Sequence, residues 1–203
     1  VAQFLRPHQR EGVRFLYDCV AGRKTYAHGY SGAGAILADD MGLGKTLQTV
    51  ALAYTLLQAP AVGGGAPGAV RRVVVACPCS LVANWKAEFD KWINGRAASR
   101  AERVDVKVVD GSQKTDRALA AFAVRRRPRR RRPSAQAASR PFHVLVCSYE
   151  SLALHCGALG GACDLLVCDE AQRLKGRAQC QGKPGISGFL AVRAPFRTSY
   201  GRR

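Results

Sequence analysis

The 203-residue sequence predicts an α/β fold, a mostly parallel sheet with helices packed on both faces. Three observations predict it. Runs such as Val73-Val74-Val75-Ala76 and Val144-Leu145-Val146-Cys147 are apolar throughout, without the alternation of a half-solvated strand, so they read as strands buried on both sides. These runs alternate with stretches whose apolar residues recur at helical spacing. The connections between them are mostly short, as in layered α/β domains.

Taken in order, Pro7 to Cys19 reads as a helix: Pro7 suits the first turn, and Val13, Leu16, Tyr17 and Val20 share one face. A Gly-rich turn spans Gly29 to Gly34, and Ala35-Ile36-Leu37-Ala38 is a short buried strand. Thr46 to Leu57 follows as a strongly apolar helix, and Pro60 to Gly68 is a surface loop rich in Gly, Ala and Pro. Arg72 to Cys77 is a second strand, stopped by Pro78. Ser80 is placed to cap a helix from Leu81 to Ile93, where Trp85, Phe89 and Trp92 recur at helical spacing. Val104 to Val109 is a third strand and Thr115 to Val124 an Ala-rich helix. Arg125 to Arg140 is a low-complexity Arg/Pro/Ser/Ala insert, expected to be disordered. Phe142 to Cys147 is a fourth strand, Tyr149 to His155 a short helix, and Leu165 to Cys168 a fifth strand ending in Asp169-Glu170. Beyond Gly176 no period is visible, so 1–175 is expected to form the folded lobe and 176–203 an irregular basic tail outside it.

The formal charge of +18 suggests a polyanionic partner, but its distribution weakens that inference. Arg125 to Arg132 carries seven positive charges, and Arg173 to Arg203 carries eight with no acid, which leaves the main body nearly neutral. Such runs bind phosphate backbones without specificity or are simply solvated. The 8 Cys lack zinc spacing, Cys77-Pro78-Cys79 being too tight, and Cys77, Cys147 and Cys168 in apolar runs read as buried free thiols in a reducing compartment. No apolar run reaches membrane-spanning length and no secretory signal opens the chain. Without an initiator Met, the sequence reads straight into folded segments, so residues are expected to precede Val1.

The chemistry is concentrated in two places. In Gly42-Leu43-Gly44-Lys45-Thr46 the two glycines let the backbone wrap closely around phosphates, and the following helix aims its N-terminal N–H groups at the same spot. Lys45 offers a point charge to the β and γ phosphates, and the Thr46 hydroxyl is placed for magnesium. Asp39 occupies the position of the first Gly of the usual eight-residue form. A Gly-rich turn that merely precedes Lys-Thr is the plain alternative, but an apolar strand before the loop and an apolar helix after it are the context a phosphate loop needs. The second place is Asp169-Glu170. Asp169 at a strand end is placed to hold magnesium and Glu170 to polarise an attacking water; the plain alternative is an acidic strand end capping a helix.

These motifs resemble those of the superfamily-two helicase-like ATPases, and further stretches narrow the likeness to the Swi/Snf branch. Leu5-Arg6-Pro7-His8-Gln9-Arg10-Glu11-Gly12-Val13 is similar to that branch's opening segment, and Ile36 to Thr49, with Asp39-Asp40-Met41 ahead of the glycines, to its phosphate-loop signature. Val75 to Trp85, Cys147-Ser148-Tyr149-Glu150 and Asp169-Glu170-Ala171-Gln172-Arg173-Leu174-Lys175 resemble the three motifs that follow. Within the branch the wording is most similar to the recombination-repair double-strand-DNA translocases.

The resemblance implies a first RecA-like lobe that binds ATP and magnesium through Gln9, Asp39, Asp40, Met41, Gly42, Leu43, Gly44, Lys45 and Thr46, with Gln9 reading adenine. It implies Lys45, Asp169 and Glu170 as the catalytic set and Gln172 as the coupling residue, in place of the commoner His. Pro78, Ser80, Asn84, Trp85, Ser148 and Tyr149 are implied contacts to a DNA backbone; read from the residues alone, the two stretches are a helix start and a strand end with hydroxyls and N–H groups available for capping or for phosphates. The implied function is ATP-driven tracking along duplex DNA in the nucleus, in DNA repair and recombination or in chromatin remodelling. A recombinase filament or a nucleosome is then the partner, and no membrane is involved. The Arg125–Arg132 run is a solvated insert, a DNA-binding arm or a localisation signal. A second lobe with its arginine finger is not recognisable after Lys175, so poor turnover is expected from this stretch alone, and an inactive ATP- or DNA-binding fragment is the alternative. A phosphate-loop kinase or GTPase is disfavoured, since no guanine-reading or acceptor motif is present.

Overall fold

A computed structural model describes residues 1–24, 34–58, 70–109, 122, 142–159, 163–171 and 190–193. The expected loop 60–68, insert 125–140 and helix 115–124 apart from Phe122 lie outside these residues. The described elements are α1 (Pro7–Val20), β1 (Gly34–Leu37), α2 (Lys45–Gln58), β2 (Arg72–Cys77), α3 (Val82–Trp92), β3 (Val104–Val109), β4 (Phe142–Ser148), α4 (Tyr149–Leu159), β5 (Leu165–Cys168) and β6 (Leu190–Arg193).

Local sequence explains the ends of α1. Pro7 sits at its first turn, where a missing N–H costs nothing, and the Gln9 Oε1 accepts the Arg6 N–H at 3.0 Å. The helix stops at Gly22, whose φ of 66° suits a residue without Cβ; the Gly22 and Arg23 N–H groups close back onto the carbonyls of Cys19 (3.2 Å) and Asp18 (2.8 Å). Ser80 does not cap α3 as its position suggested. The chain enters through a 3-10 turn, Cys79–Leu81, the Leu81 N–H donates to the Pro78 carbonyl at 2.9 Å, and α3 begins two residues beyond Ser80.

The strands form one sheet in the order β1-β6-β5-β2-β4-β3, with β3, β4, β2 and β5 parallel. Alternate residues of the same strands enter different cores. Val73, Val75, Val144, Val146, Leu165 and Val167 pack under Leu16 and Val20 of α1, Leu52, Leu56 and Leu57 of α2, and Trp85 and Phe89 of α3. Val74, Leu145 and Cys147 face the opposite layer with Val109, Phe122 and Leu159. Burial on both faces removes the need for alternation, and each buried Val or Leu contributes roughly 1.5–3 kcal/mol relative to exposure. The short loops are pinned by side chains. Asp164 accepts the Arg71 and Arg72 N–H groups at 3.0 and 3.1 Å, and Asn94 holds both backbone groups of Val104, at 3.0 and 2.9 Å.

The reading of 176–203 as an irregular tail is corrected at Leu190–Arg193. This β6 lies between β1 and β5, antiparallel to both. Three apolar residues followed by Arg193 give no period to detect, and only the gap between two strand edges selects them. Among the described strands, β1 pairs with β6 alone, so its link to the rest of the sheet runs through that segment. Val192→Pro removes an N–H from a strand flanked on both sides. Its unfolding free energy in urea is expected to fall by about 1–3 kcal/mol, whereas a tail outside the sheet leaves the urea midpoint unchanged.

Candidate nucleotide site

Strand direction assembles the site. β6 runs against β5 and β1 runs against β6, so β1 runs with β5, and Leu37, Cys77, Ser148 and Cys168 all end at one sheet edge. Ile36 and Cys168 both pair with Ala191, which sets the next residues, Leu37 and Asp169, level with each other. Two strand spacings, about 10 Å, separate them.

The loop after β1 is built from backbone. Gly42 and Gly44 hold φ of 85° and 83°, in the left-handed region, and a Cβ on Gly44 would collide with the Gln9 amide. Met41 is 93% exposed and Leu43 is exposed, so these two residues contribute main-chain groups, and the Gln9 Nε2 donates to the Leu43 carbonyl at 3.0 Å. The Lys45 Nζ donates to the carbonyls of Asp39 (2.7 Å) and Asp40 (2.9 Å), folding the ammonium back over the loop. Lys45 and Thr46 open α2, where the first N–H groups have no intrahelical acceptor. The Asp39 carboxylate is engaged behind the loop, its Oδ2 accepting from the Gln48 Nε2 at 3.0 Å, while Asp40 is exposed.

Across the edge, the Asp169 Oδ2 accepts the Trp85 indole N–H at 2.8 Å and its Oδ1 accepts the Glu170 N–H at 3.0 Å. Burial raises the Asp169 carboxyl above the ordinary carboxylate range and the Glu170 charge adds to this, while the Trp85 bond and the positive charge of Lys45 oppose it. The influence of Lys45 on Asp169 places the two motifs within electrostatic reach. Glu170 is exposed and takes a φ of 52°, unusual for a residue with a Cβ, which turns it away from the strand line. A magnesium ion takes hard oxygens and keeps several from water and phosphate, so the Thr46 hydroxyl and the Asp169 carboxylate are a donor pair that fits it. Burial pushes the Cys77 thiol up to about 12, with the Asp169 charge adding to it, and the Cys147 thiol likewise to about 12, so both are neutral packing groups.

The six proposed DNA contacts divide. Ser80 and Asn84 are exposed, whereas Pro78 is buried. The Trp85 side chain, 1% exposed, is not available to a surface ligand, which corrects its expected role. Ser148 is buried and its Oγ accepts the Ser151 N–H at 3.2 Å, a cap for α4. Tyr149 is half-buried and its hydroxyl donates to the Asp169 carbonyl at 2.6 Å. Gln172 lies outside the described residues.

Sequence reading missed Gln48 and Gly12. Gln48 is fully buried on apolar α2; its Nε2 holds Asp39, and its Oε1 has no hydrogen-bond partner among the described residues. A Cβ at Gly12 would collide with that oxygen, which explains a glycine inside α1. A polar residue amid the apolar face of one helix and a costly glycine in another were the available signals.

A strand, a glycine loop and a helix facing an acidic strand end define a phosphate-loop α/β lobe of RecA type. The pattern of the SNF2-related domain matches residues 8–183, and the chain belongs to that family. It is 42% identical over 179 residues to the DNA repair and recombination protein RAD54 of Oryza sativa subsp. japonica, covering 86% of this chain and 16% of that protein. Identity to Protein CHROMATIN REMODELING 25 of Arabidopsis thaliana is 40% over 178 residues (86% and 17% covered). The Homo sapiens DNA repair and recombination protein RAD54-like is 40% identical over 179 residues (86% and 21%). The chain therefore spans about a fifth of the length of these curated relatives. In fold it is similar to the Sulfolobus solfataricus SWI2/SNF2 ATPase core solved in complex with dsDNA, with TM-score 0.51 and 22% identity over 87% of this chain and 28% of that one. Nucleotide use is a property of this ATPase family.

Two predictions follow from the packing and the charge. Gly12→Ala is expected to cost about 1–3 kcal/mol by forcing Gln48 from its site. Because both changes act on one contact, the urea-measured loss of Gly12→Ala/Gln48→Ala should fall short of the sum of the single losses by more than about 0.5 kcal/mol. Asp169→Asn removes a buried charge whose protonated form the fold favours. A carboxyl raised by the fold costs stability where it ionises, so the thermal midpoint of the variant relative to the native chain should gain as pH rises through the carboxylate range, set against the one acceptor that Asn withholds from Trp85 or Glu170. The gain should vanish below the usual carboxylate range, where the carboxyl is protonated folded and unfolded alike.

Proposed function

We propose that this chain is the ATP-binding lobe of an ATP-dependent double-stranded-DNA translocase of the homologous-recombination repair or chromatin-remodelling type, acting in the nucleus. The observation that carries the reading is the glycine loop after β1, with Gly42 and Gly44 in left-handed backbone and Lys45 at the start of α2, at the sheet edge where Leu37, the end of β1, is level with Asp169.

Each residue then has a task. Gln9 uses one lone pair on Arg6 and one N–H on Leu43, which leaves one acceptor and one donor site for the edge of adenine. Lys45 exchanges the carbonyls of Asp39 and Asp40 for phosphate oxygens, a contact charged at both ends and stronger than the ammonium–carbonyl bonds it gives up. Magnesium, when bound, neutralises developing phosphate charge, with Thr46 and Asp169 as its protein oxygens. Glu170 orients the attacking water, and Gln172 couples turnover to movement. Ser80 and Asn84, exposed beside the same edge, are the side chains best placed for a DNA backbone, and a nucleosome or recombinase filament is the larger partner.

An arginine from a second lobe is the element that turnover needs beyond these residues, and such a finger is worth about 10³–10⁵ in rate. The 16–21% coverage of the relatives favours a second reading in which the 203 residues alone bind ATP without turning it over. Calorimetry of the chain with Mg·ATP, and hydrolysis with and without duplex DNA, test both. Binding abolished by Lys45→Ala, with DNA-stimulated hydrolysis only when a second lobe is supplied, is the expected outcome. Failure to bind any adenine nucleotide overturns the proposal, and DNA-stimulated turnover by the 203 residues alone overturns the need for a second lobe.

A further inference from the structure

Asp169 is held from three directions. Its N–H donates to the Ala76 carbonyl of β2 at 2.8 Å, its Oδ2 accepts from Trp85 of α3 at 2.8 Å, and its carbonyl accepts from Tyr149, the first residue of α4, at 2.6 Å. An indole has one N–H and nothing else to offer, and Trp85 is sealed from water at 1% exposure, so a half-buried carboxylate is a costly and specific partner to give it. Phenylalanine is also an apolar core residue and demands no partner, so apolar packing alone does not account for the bond. Among the described residues each Asp169 oxygen accepts one N–H, from Trp85 and from Glu170, which leaves each a further lone pair. The carboxylate is thus aimed without being used up, the arrangement by which outer partners orient a metal ligand. Trp85 and Tyr149 lie 84 and 20 residues from Asp169 in sequence and belong to the two segments read as surface contacts, yet both polar ends turn inward.

We propose that Trp85 and Tyr149 are positioning residues for magnesium at the nucleotide site: they set the Asp169 carboxylate, and occupancy of that site is felt in return at α3 and at the start of α4. This rests on the nucleotide reading given above.

The chain has two tryptophans, so Trp92→Phe leaves Trp85 as the sole indole reporter. In that variant, adding magnesium to chain already mixed with ATP is expected to change Trp85 emission, while magnesium without nucleotide changes it little. In the otherwise native chain, Trp85→Phe is expected to raise the magnesium concentration needed for tight ATP binding by about 10-fold or more, as lost outer partners of metal ligands do. Its ATP affinity in EDTA should stay unchanged. Tyr149→Phe should shift the magnesium requirement in the same direction by less, since it holds the main chain rather than the carboxylate. A purely structural role lowers the thermal midpoint and leaves the magnesium requirement where it was. If Trp85→Phe does not fold, the emission change and Tyr149→Phe decide. Calorimetric ATP binding with an unchanged magnesium requirement, or with a silent Trp85, overturns the inference alone. No ATP binding by the native chain overturns the nucleotide reading and the inference with it.

Discussion

Parallel alignment of strands buried on both faces is the constraint on which the site depends. β2, β4 and β5 run the same way, so every one of them ends at one edge, and the residues after each strand are delivered there whatever the length of the connection. β1 is brought into that alignment by two successive antiparallel pairings through β6. Two reversals restore direction, and they also set the spacing, with one strand left between the end of β1 and Asp169. A direct β1–β5 pairing would halve that gap to about 5 Å.

Around this edge, position is set by single hydrogen bonds from buried polar side chains. Gln48 holds Asp39, Gln9 holds Leu43, and Trp85 holds Asp169, at 3.0, 3.0 and 2.8 Å. The Gln9 bond adds only about 0.5–1.5 kcal/mol net and the two to carboxylates about 1.5–3 each, far less than the apolar core around them, so their value is not chiefly in stability. What they add is direction. The Gln48 Oε1 without a partner and the raised Asp169 carboxyl are the costs of that arrangement, and they fall where loop and acid must stand in a fixed relation. The SNF2-related family pattern extends from 8 to 183 and so takes in every one of these residues.

Much of this was legible in advance because it is local. Strand runs such as Val73–Ala76 need no partner to declare themselves, the helical spacing of Trp85 and Phe89 marks a buried face, and Gly42-Leu43-Gly44-Lys45-Thr46 carries its geometry in its own backbone. Helix ends were less legible, since Ser80 has the right chemistry for a cap but sits one residue too early for the turn that forms. Trp85 is the instructive error: its motif suggested a surface role, while its helical phase with Phe89 already pointed to the core.

By itself, then, the sequence determined the α/β class, the apolar strands, the glycine loop and the acidic strand end, because composition, period and glycine placement act over a few residues. Tertiary structure alone decided that Leu190–Arg193 completes the sheet, that Gly12 makes room for Gln48, and that Trp85 and Tyr149 converge on Asp169. These are pairings between residues distant in the chain. They depend on strand order and on which faces meet, and neither is written in the spacing of any one segment.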